Sequence, residues 1–272
     1  MAYVLLLTAC INPDGMPFTT LSDKEVRRKQ YLNALNFYLE STSYPIVFTE
    51  NSDTDISRDY TDAIKNGRLE ILTFKGNNNK TKGKGYGESI IIEYALNHSK
   101  LISSETLVVK ITGRLMVKNI TAVLTERFPL QKPQSVVCAY NSDFSFPDSR
   151  LFIAPISFLR EFLKDKEQID DSIGVFFEHI LSKNIINGQT PWAPFWTEPA
   201  ISGCSGTTGK KYVATSTKSR EDIINYKLMA LYRYRLFKDL LGHHNFFETI
   251  ACQLLHTKYY VLKKYSMSNL NF

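Results

Sequence analysis

Three stretches of this chain hold residue types suited to phosphate chemistry. Lys82-Gly83-Lys84-Gly85-Tyr86-Gly87-Glu88 sets three glycines among two lysines and leads straight into a helical pattern. Backbone amides at a helix N-terminus, with Lys84 beside them, can hold a diphosphate, and Tyr86 can stack on a base. A loop that merely caps a helix uses the same glycines. The Gly-x-Gly-x-Gly spacing is not a dinucleotide fingerprint, and the segment does not follow the first strand. Gly203-Cys204-Ser205-Gly206-Thr207-Thr208-Gly209-Lys210-Lys211 invites a P-loop reading and fails it. One residue too many separates Gly203 from Gly209, and Lys211 stands where Ser or Thr should follow the lysine. A mobile lid with Lys210 as donor, or a plain surface loop, remains. The third stretch is Thr112-Gly113-Arg114, closing an apolar run. An arginine there can pair with phosphate bidentately.

For proton transfer the candidates are Glu178, beside His179, and Asp171. Either could take the proton of an acceptor hydroxyl, although Asp171 also suits a helix N-cap and a glutamate on a helix is most often solvated or paired. Asp148 and Arg150 are further candidates for binding polar ligands. Asp53-Thr54-Asp55 spells Asp-x-Asp but follows the second strand, a poor place for a metal. The five histidines show no ligand spacing, and His243 and His244, being adjacent, point apart on a helix. The four cysteines contain no Cys-x-x-Cys pair, which argues for reduced thiols and against a zinc knuckle.

These residues need a frame. Tyr3 to Thr8 is a continuous apolar run, typical of a central parallel strand. Val26 to Glu40 reads as a helix, Tyr44 to Thr49 as a strand, Arg68 to Phe74 as a strand, Glu88 to Asn97 as a helix and Thr106 to Thr112 as a strand. This alternation predicts a mostly parallel, Rossmann-like α/β sheet flanked by helices. Ser135 to Tyr140 and Arg150 to Ala154 read as further strands, antiparallel at the sheet edge. Asp171 to Leu181 reads as a helix, Trp192 to Tyr212 as a loop and Arg220 to Leu241 as a long helix. Residues 1–215 are expected to form the ligand-binding domain, and 216–272 a helical segment packed on it. In such sheets ligands bind beyond the carboxyl ends of the strands. That places Thr8, Ala9 and Asn12 after the first strand, Glu50 and Asn51 after the second, and Lys84, Gly85, Tyr86, Gly87 and Arg114 after the third and fourth, at one edge.

With 272 residues, 43% of them apolar, the chain can bury one large core. A formal charge of +6 suits an anionic partner, a nucleotide or a lipid surface, but is not concentrated enough to favour nucleic acid. Leu5-Leu6-Leu7-Thr8-Ala9-Cys10 looks like a lipoprotein cleavage site but lacks a basic residue before it, so a cytoplasmic protein is expected. The aromatic and basic run from Lys258 to Tyr265 suits peripheral contact with the inner membrane.

At these residues the chain resembles bacterial glycosyltransferases of capsule and O-antigen assembly. The matching stretches are Leu7 to Pro13, Val47 to Ser52, Gly83 to Glu88, Lys110 to Arg114, Asp171 to His179 and Gly203 to Lys210. The resemblance implies a GT-A fold, a nucleoside-diphosphate sugar donor, UDP-sugar first, and a glycan or lipid-linked acceptor. Typical GT-A enzymes hold a divalent metal on an Asp-x-Asp motif at the end of the fourth strand, where this chain has Thr112-Gly113-Arg114. Arg114, helped by Lys84 or Lys210, is therefore expected to replace the metal, with Glu178 or Asp171 as base. Two rivals stand beside this expectation. One is a sugar nucleotidyltransferase, which should carry a basic glycine-rich loop after the first strand; Ile11 to Phe18 is not basic. The other is a non-catalytic carbohydrate- or membrane-binding protein.

Overall fold

The computed structural model describes residues 2–268 apart from 18, 79, 215–217, 243 and 244, with side chains described as far as Lys263. Along the chain run β1 (Ala2–Ala9), α1 (Lys24–Ser41), β2 (Ile46–Glu50), α2 (Thr61–Lys65), β3 (Leu69–Thr73), α3 (Gly83–His98) and β4 (Thr106–Thr112). Then come β5 (Met116–Val117), α4 (Ile120–Thr125), β6 (Val136–Tyr140), β7 (Pro147–Pro155), α5 (Ile156–Lys164), α6 (Phe177–Asn187) and β8 (Trp192–Ala193). Last are β9 (Ile201–Cys204), β10 (Lys211–Tyr212), α7 (Arg220–Leu240) and α8 (Phe246–Ser268).

Seven strands form the central sheet in the order β3-β2-β1-β4-β7-β6-β8, and β10-β9-β5 form a small second sheet. Strands β3, β2, β1 and β4 are parallel, and β6 and β8 are parallel to each other. Helices flank the sheet, so this is the Rossmann-like α/β fold that the alternating pattern predicts. The first strand is central because Val4 to Ala9 are all apolar or small and all buried.

Three sequence expectations are corrected. Strand β7 is antiparallel, but it lies inside the sheet between β4 and β6 and not at its edge. Leu151, Phe152, Ile153 and Ala154 are buried in succession, which an edge strand with a wet face does not allow. The helix expected over Asp171 to Leu181 begins at Phe177, because Gly174 adopts a left-handed φ of 79° and breaks the short turn at Asp171–Ile173. The stretch Trp192 to Tyr212 contains β8, β9 and β10, strands too short to show a period.

Register sets the site. Thr8 stands opposite Thr49 on β2 and opposite Thr112 on β4, so the three strands end level. Helix α1 ties their outgoing loops. The Tyr31 hydroxyl accepts from the Cys10 amide (3.1 Å), while the Tyr38 hydroxyl donates to the Leu115 carbonyl (3.0 Å) and accepts from the Val117 amide (2.9 Å). Beyond β4, the Gly113 amide donates to the Thr8 carbonyl at 2.8 Å, and a Cβ on Gly113 would lie 2.7 Å from that same oxygen. Glycine is required so that Arg114 can leave the sheet alongside β1. Gly113→Ala is expected to lower stability by about 1–3 kcal/mol, the usual cost of overpacking a rigid contact. Urea unfolding checks it; an unchanged midpoint would refute the close approach.

Candidate active site

A cleft of about 870 Å³ opens at the carboxyl ends of β1, β2 and β4. Of the residues expected at a site, Thr8, Ala9, Asn51, Lys84, Gly85, Gly87, Arg114, Asp171 and Glu178 line it. Arg114 and the glycine turn therefore face a common cavity. Asn12, Glu50, Tyr86 and Lys210 do not line it, and each has a physical reason.

Glu50 is fully buried behind the wall. Its carboxylate accepts from the amides of Ile11 (2.8 Å), Ser52 and Thr54 (2.9 Å) and from the Ser52 hydroxyl. It clamps the loops after β1 and β2 together and has no lone pair to spare for a ligand. Burial lifts its pKa, and these donors work against that lift. The Asn12 amide is used on the Ser52 hydroxyl (2.8 Å). Tyr86 turns outward, donating to Glu167 (3.0 Å) with Lys82 over its ring at 4.7 Å. Lys210 is exposed and stands outside the cleft lining. Asp53-Thr54-Asp55 also lies outside the cleft wall; Asp55 caps the turn at Ser57.

Helix α3 starts at Gly83, within the glycines rather than after them. The first-turn amide of Gly85 donates to the Asp171 carboxylate at 3.2 Å. A Cβ on Gly83 would fall 2.4 Å from Asp171 Oδ2, and one on Gly85 would fall 2.8 Å from Oδ1. Gly83 also has a φ of 86°. The glycines thus admit the chain's own carboxylate to the helix N-terminus, the place where a phosphate was expected. Burial raises the Asp171 pKa, while the amides of Gly85 and Lys84 lower it.

Cations gather on the neighbouring wall. Arg27 is buried and donates to the carbonyls of Cys10 (2.6 and 2.9 Å) and Leu21 (3.0 Å). Arg114 donates to the Cys204 carbonyl (3.0 Å), and Gly206 packs so close that a Cβ there would lie 2.7 Å from its guanidinium. Among the described residues neither arginine has a carboxylate within ion-pair distance. Lys84 donates to the Thr207 hydroxyl at 2.6 Å. Burial lowers its pKa, with Arg114 and Arg27 pushing the same way against Asp171 and Glu178. The turn at Gly206–Thr207 thus meets both Lys84 and Arg114 and roofs the cations.

The cleft floor holds a network that the sequence reading missed. Lys110, on central β4, is 0% exposed. Its ammonium is ion-paired with Glu88 and donates to the Ser149 carbonyl (2.5 Å). Glu88 accepts from the Thr8 hydroxyl (3.0 Å), and the Ser149 hydroxyl donates to Glu178 (2.5 Å). The available signal was a lone lysine inside Thr106-Leu107-Val108-Val109-Lys110-Ile111-Thr112: a charge in a buried strand requires a partner. Opposite, Asp148 accepts bidentately from Nε and Nη2 of Arg150 (2.8 and 2.6 Å), and Arg150 lies 4.7 Å over Tyr212. That pairing keeps Arg150 firmly charged. Cys10 lines the cleft, but burial pushes its thiol up to about 11, so it is no ready nucleophile. Asn51, 2% exposed, and Asn77 also line the cleft, and the Oδ1 of each lacks a hydrogen-bond partner among the described residues. Among the described residues no group of three or more His, Cys, Asp or Glu side chains gathers as a metal site.

No protein-family model matches the sequence, and no curated protein matches it. Solved structures do. A cytidylyltransferase from Leptospira borgpetersenii serovar Hardjo-bovis (strain JB197) aligns over 89% of this chain and 94% of its own, with 14% identity and a TM-score of 0.41. HddC from Yersinia pseudotuberculosis aligns over 75% of this chain and 93% of its own, with 15% identity and a TM-score of 0.39. The expectation of glycosyl transfer is corrected on this finding: the neighbour named by its activity is a cytidylyltransferase, and neither of these two structures is named a glycosyltransferase.

Glu178 offers a test of the site's electrostatics. Burial raises its pKa, Glu88 adds to the rise, and Ser149 and Lys110 oppose it. A raised folded-state value means that the fold holds the proton more tightly than the unfolded chain. This group therefore favours the fold at acid pH and costs stability as pH rises from the ordinary carboxylate value, about 4.3, through the raised one. Glu178→Gln cannot ionise and escapes that cost. Its stability relative to wild type is expected to improve between about pH 4 and pH 7. Chemical denaturation at both pH values reads the difference; a variant that loses ground over that interval would reverse the sign.

Proposed function

We propose that this chain is a sugar nucleotidyltransferase, coupling a nucleoside triphosphate to a phosphorylated sugar with release of pyrophosphate. One observation carries the reading. Arg27 and Arg114 stand in the cleft wall without a balancing carboxylate among the described residues, while Asp171, Glu88, Glu178 and Asp148 are each engaged internally. Such a site offers positive charge and few free bases. A sugar phosphate suits it, because its oxygen is already ionised and needs no base to attack.

In the proposed step the sugar-phosphate oxygen forms a bond to the α-phosphorus of the triphosphate. The bond from that phosphorus to the bridging oxygen breaks, and pyrophosphate leaves with the electron pair. Arg27, Lys84 and Arg114 stabilise the charge that grows on the leaving group. The sequence-level objection was that the loop after β1 is not basic. Here the positive charge reaches that loop from α1, α3 and the segment after β4. Asn51 and Asn77 present amide groups with an unused acceptor each, suited to the donor edge of a base or to sugar hydroxyls. Arg150, fixed by Asp148 and Tyr212 on the far side, suits the phosphate of the second substrate. The nucleotide sugar is the product and so also a ligand of the cleft.

Incubating the protein with each nucleoside triphosphate and a panel of sugar 1-phosphates, and measuring pyrophosphate, tests this directly. Release is expected only when both substrates are present; none with any pair would sink the assignment. A triphosphate at a hundred times its dissociation constant should stabilise the fold by roughly 2.7 kcal/mol. Arg114→Ala removes a charge-assisted contact worth about 1.5–3 kcal/mol and is expected to weaken nucleotide binding roughly 10- to 100-fold. Titration calorimetry reads it.

A further inference from the structure

The helical hairpin at the end of the chain has two unlike faces. Its inner face is spoken for. Cys252 is buried, Leu255 and Tyr259 pack on the core, and the Tyr259 ring meets Trp196 edge-on at 5.3 Å. Glu248 is the sole acidic residue between Phe246 and Ser268, and it also turns inward, paired with Lys132 (3.0 Å) and Lys238 (3.2 Å).

The outer face differs. At the hairpin tip, Leu240 before the turn is exposed, and Phe246 and Phe247 after it are 72% and 79% exposed. From the tip, Phe247, Ile250, Leu254 and Val261 recur at helical spacing along α8, and all are exposed. Exposed Lys258 stands four residues after Leu254 and three before Val261, within the same stripe. Large side chains left in water at a tip and along one helical stripe mark a contact surface. No described helix is long and apolar enough to cross a membrane.

We propose that this tip and stripe seat the protein on an anionic lipid surface. Charge selects the occupant. The outer face of α8 carries apolar groups and a lysine but no carboxylate, the pattern of a helix lying in a headgroup layer. A second copy of the chain suits it less well: a two-fold contact brings the same stripe onto itself, lysine included, with no opposite charge on either side. The seating goes beyond the reading of the cleft and does not depend on it.

Sedimentation of the full chain with phosphatidylcholine vesicles, with and without phosphatidylglycerol, decides the matter. The protein is expected to pellet with the anionic vesicles and at least tenfold less with the neutral ones. The F246S/F247S variant should lose at least tenfold of that binding, and Lys258→Glu roughly fivefold or more. Both alter exposed side chains, so circular dichroism should show an unchanged fold. The proposal fails if wild type does not pellet with anionic vesicles. It fails equally if both variants pellet like wild type, or if the protein forms a concentration-dependent dimer that F246S/F247S abolishes while vesicle binding is absent.

Discussion

A single buried ammonium holds the cleft together. Lys110 sits in the middle of the sheet with no access to water, so its charge must be met by protein groups or the fold loses several kcal/mol. Glu88 brings α3 to it, Ser149 brings β7, and Thr8 on β1 reaches it through Glu88. Through the Ser149 hydroxyl the same network sets Glu178 on α6. Five elements, β1, α3, β4, β7 and α6, thereby fix the cleft floor through one network centred on that nitrogen. Their mutual geometry is constrained by electrostatics in a low-dielectric interior, where an unmet charge is costly.

Against that floor, the walls are electrically unlike. Carboxylates in the cleft are committed: Asp171 to the N-terminus of α3, Glu88 to Lys110, Asp148 to Arg150. The arginines are committed to uncharged acceptors, backbone carbonyls and, for Arg27, the Tyr31 hydroxyl (3.2 Å). Cys10, Leu21 and Cys204 use up donors of Arg27 and Arg114 but leave their formal charge uncancelled. Satisfying donors without neutralising charge is how a protein keeps a cation rigid and still available to an anion. Asp171 has the complementary role. By accepting from the Gly85 amide it occupies that anion site, which leaves Arg27, Lys84 and Arg114 as the positive groups of the cleft wall.

Much of the frame was readable in the residues. The four parallel strands announce themselves as apolar runs, and Gly113-Arg114 follows the last of them, so the arginine's place at the sheet edge could be derived. Asn51 and Lys84 follow by the same logic. Long-range pairings were beyond reach. Nothing local says that Asp171 caps a helix 86 residues earlier, and so the glycines that admit it look like glycines for a phosphate. Glu50 misled for a related reason. A carboxylate at a strand end looks like a ligand group until its four donors from two loops are seen. Lys110 was legible in principle, as a charge out of pattern in a buried strand. The place of strand β7 in the sheet was not, because the run Leu151 to Pro155, buried throughout, reads alike as an antiparallel strand at an edge or in the middle.

The way the arginines are held has an electrostatic consequence. Arg27 grips the loop after β1 through Cys10, and Arg114 grips the segment at Cys204. Those two segments also touch directly, where the Thr20 hydroxyl donates to the Thr207 carbonyl at 2.6 Å and Lys84 donates to the Thr207 hydroxyl. Each cation is thus fastened to the loop that covers it. An anion placed among these cations would remove their mutual repulsion at the point where these loops meet. Charge and cover are in this way one device: the cations of the cleft wall are held by the same segments that roof it.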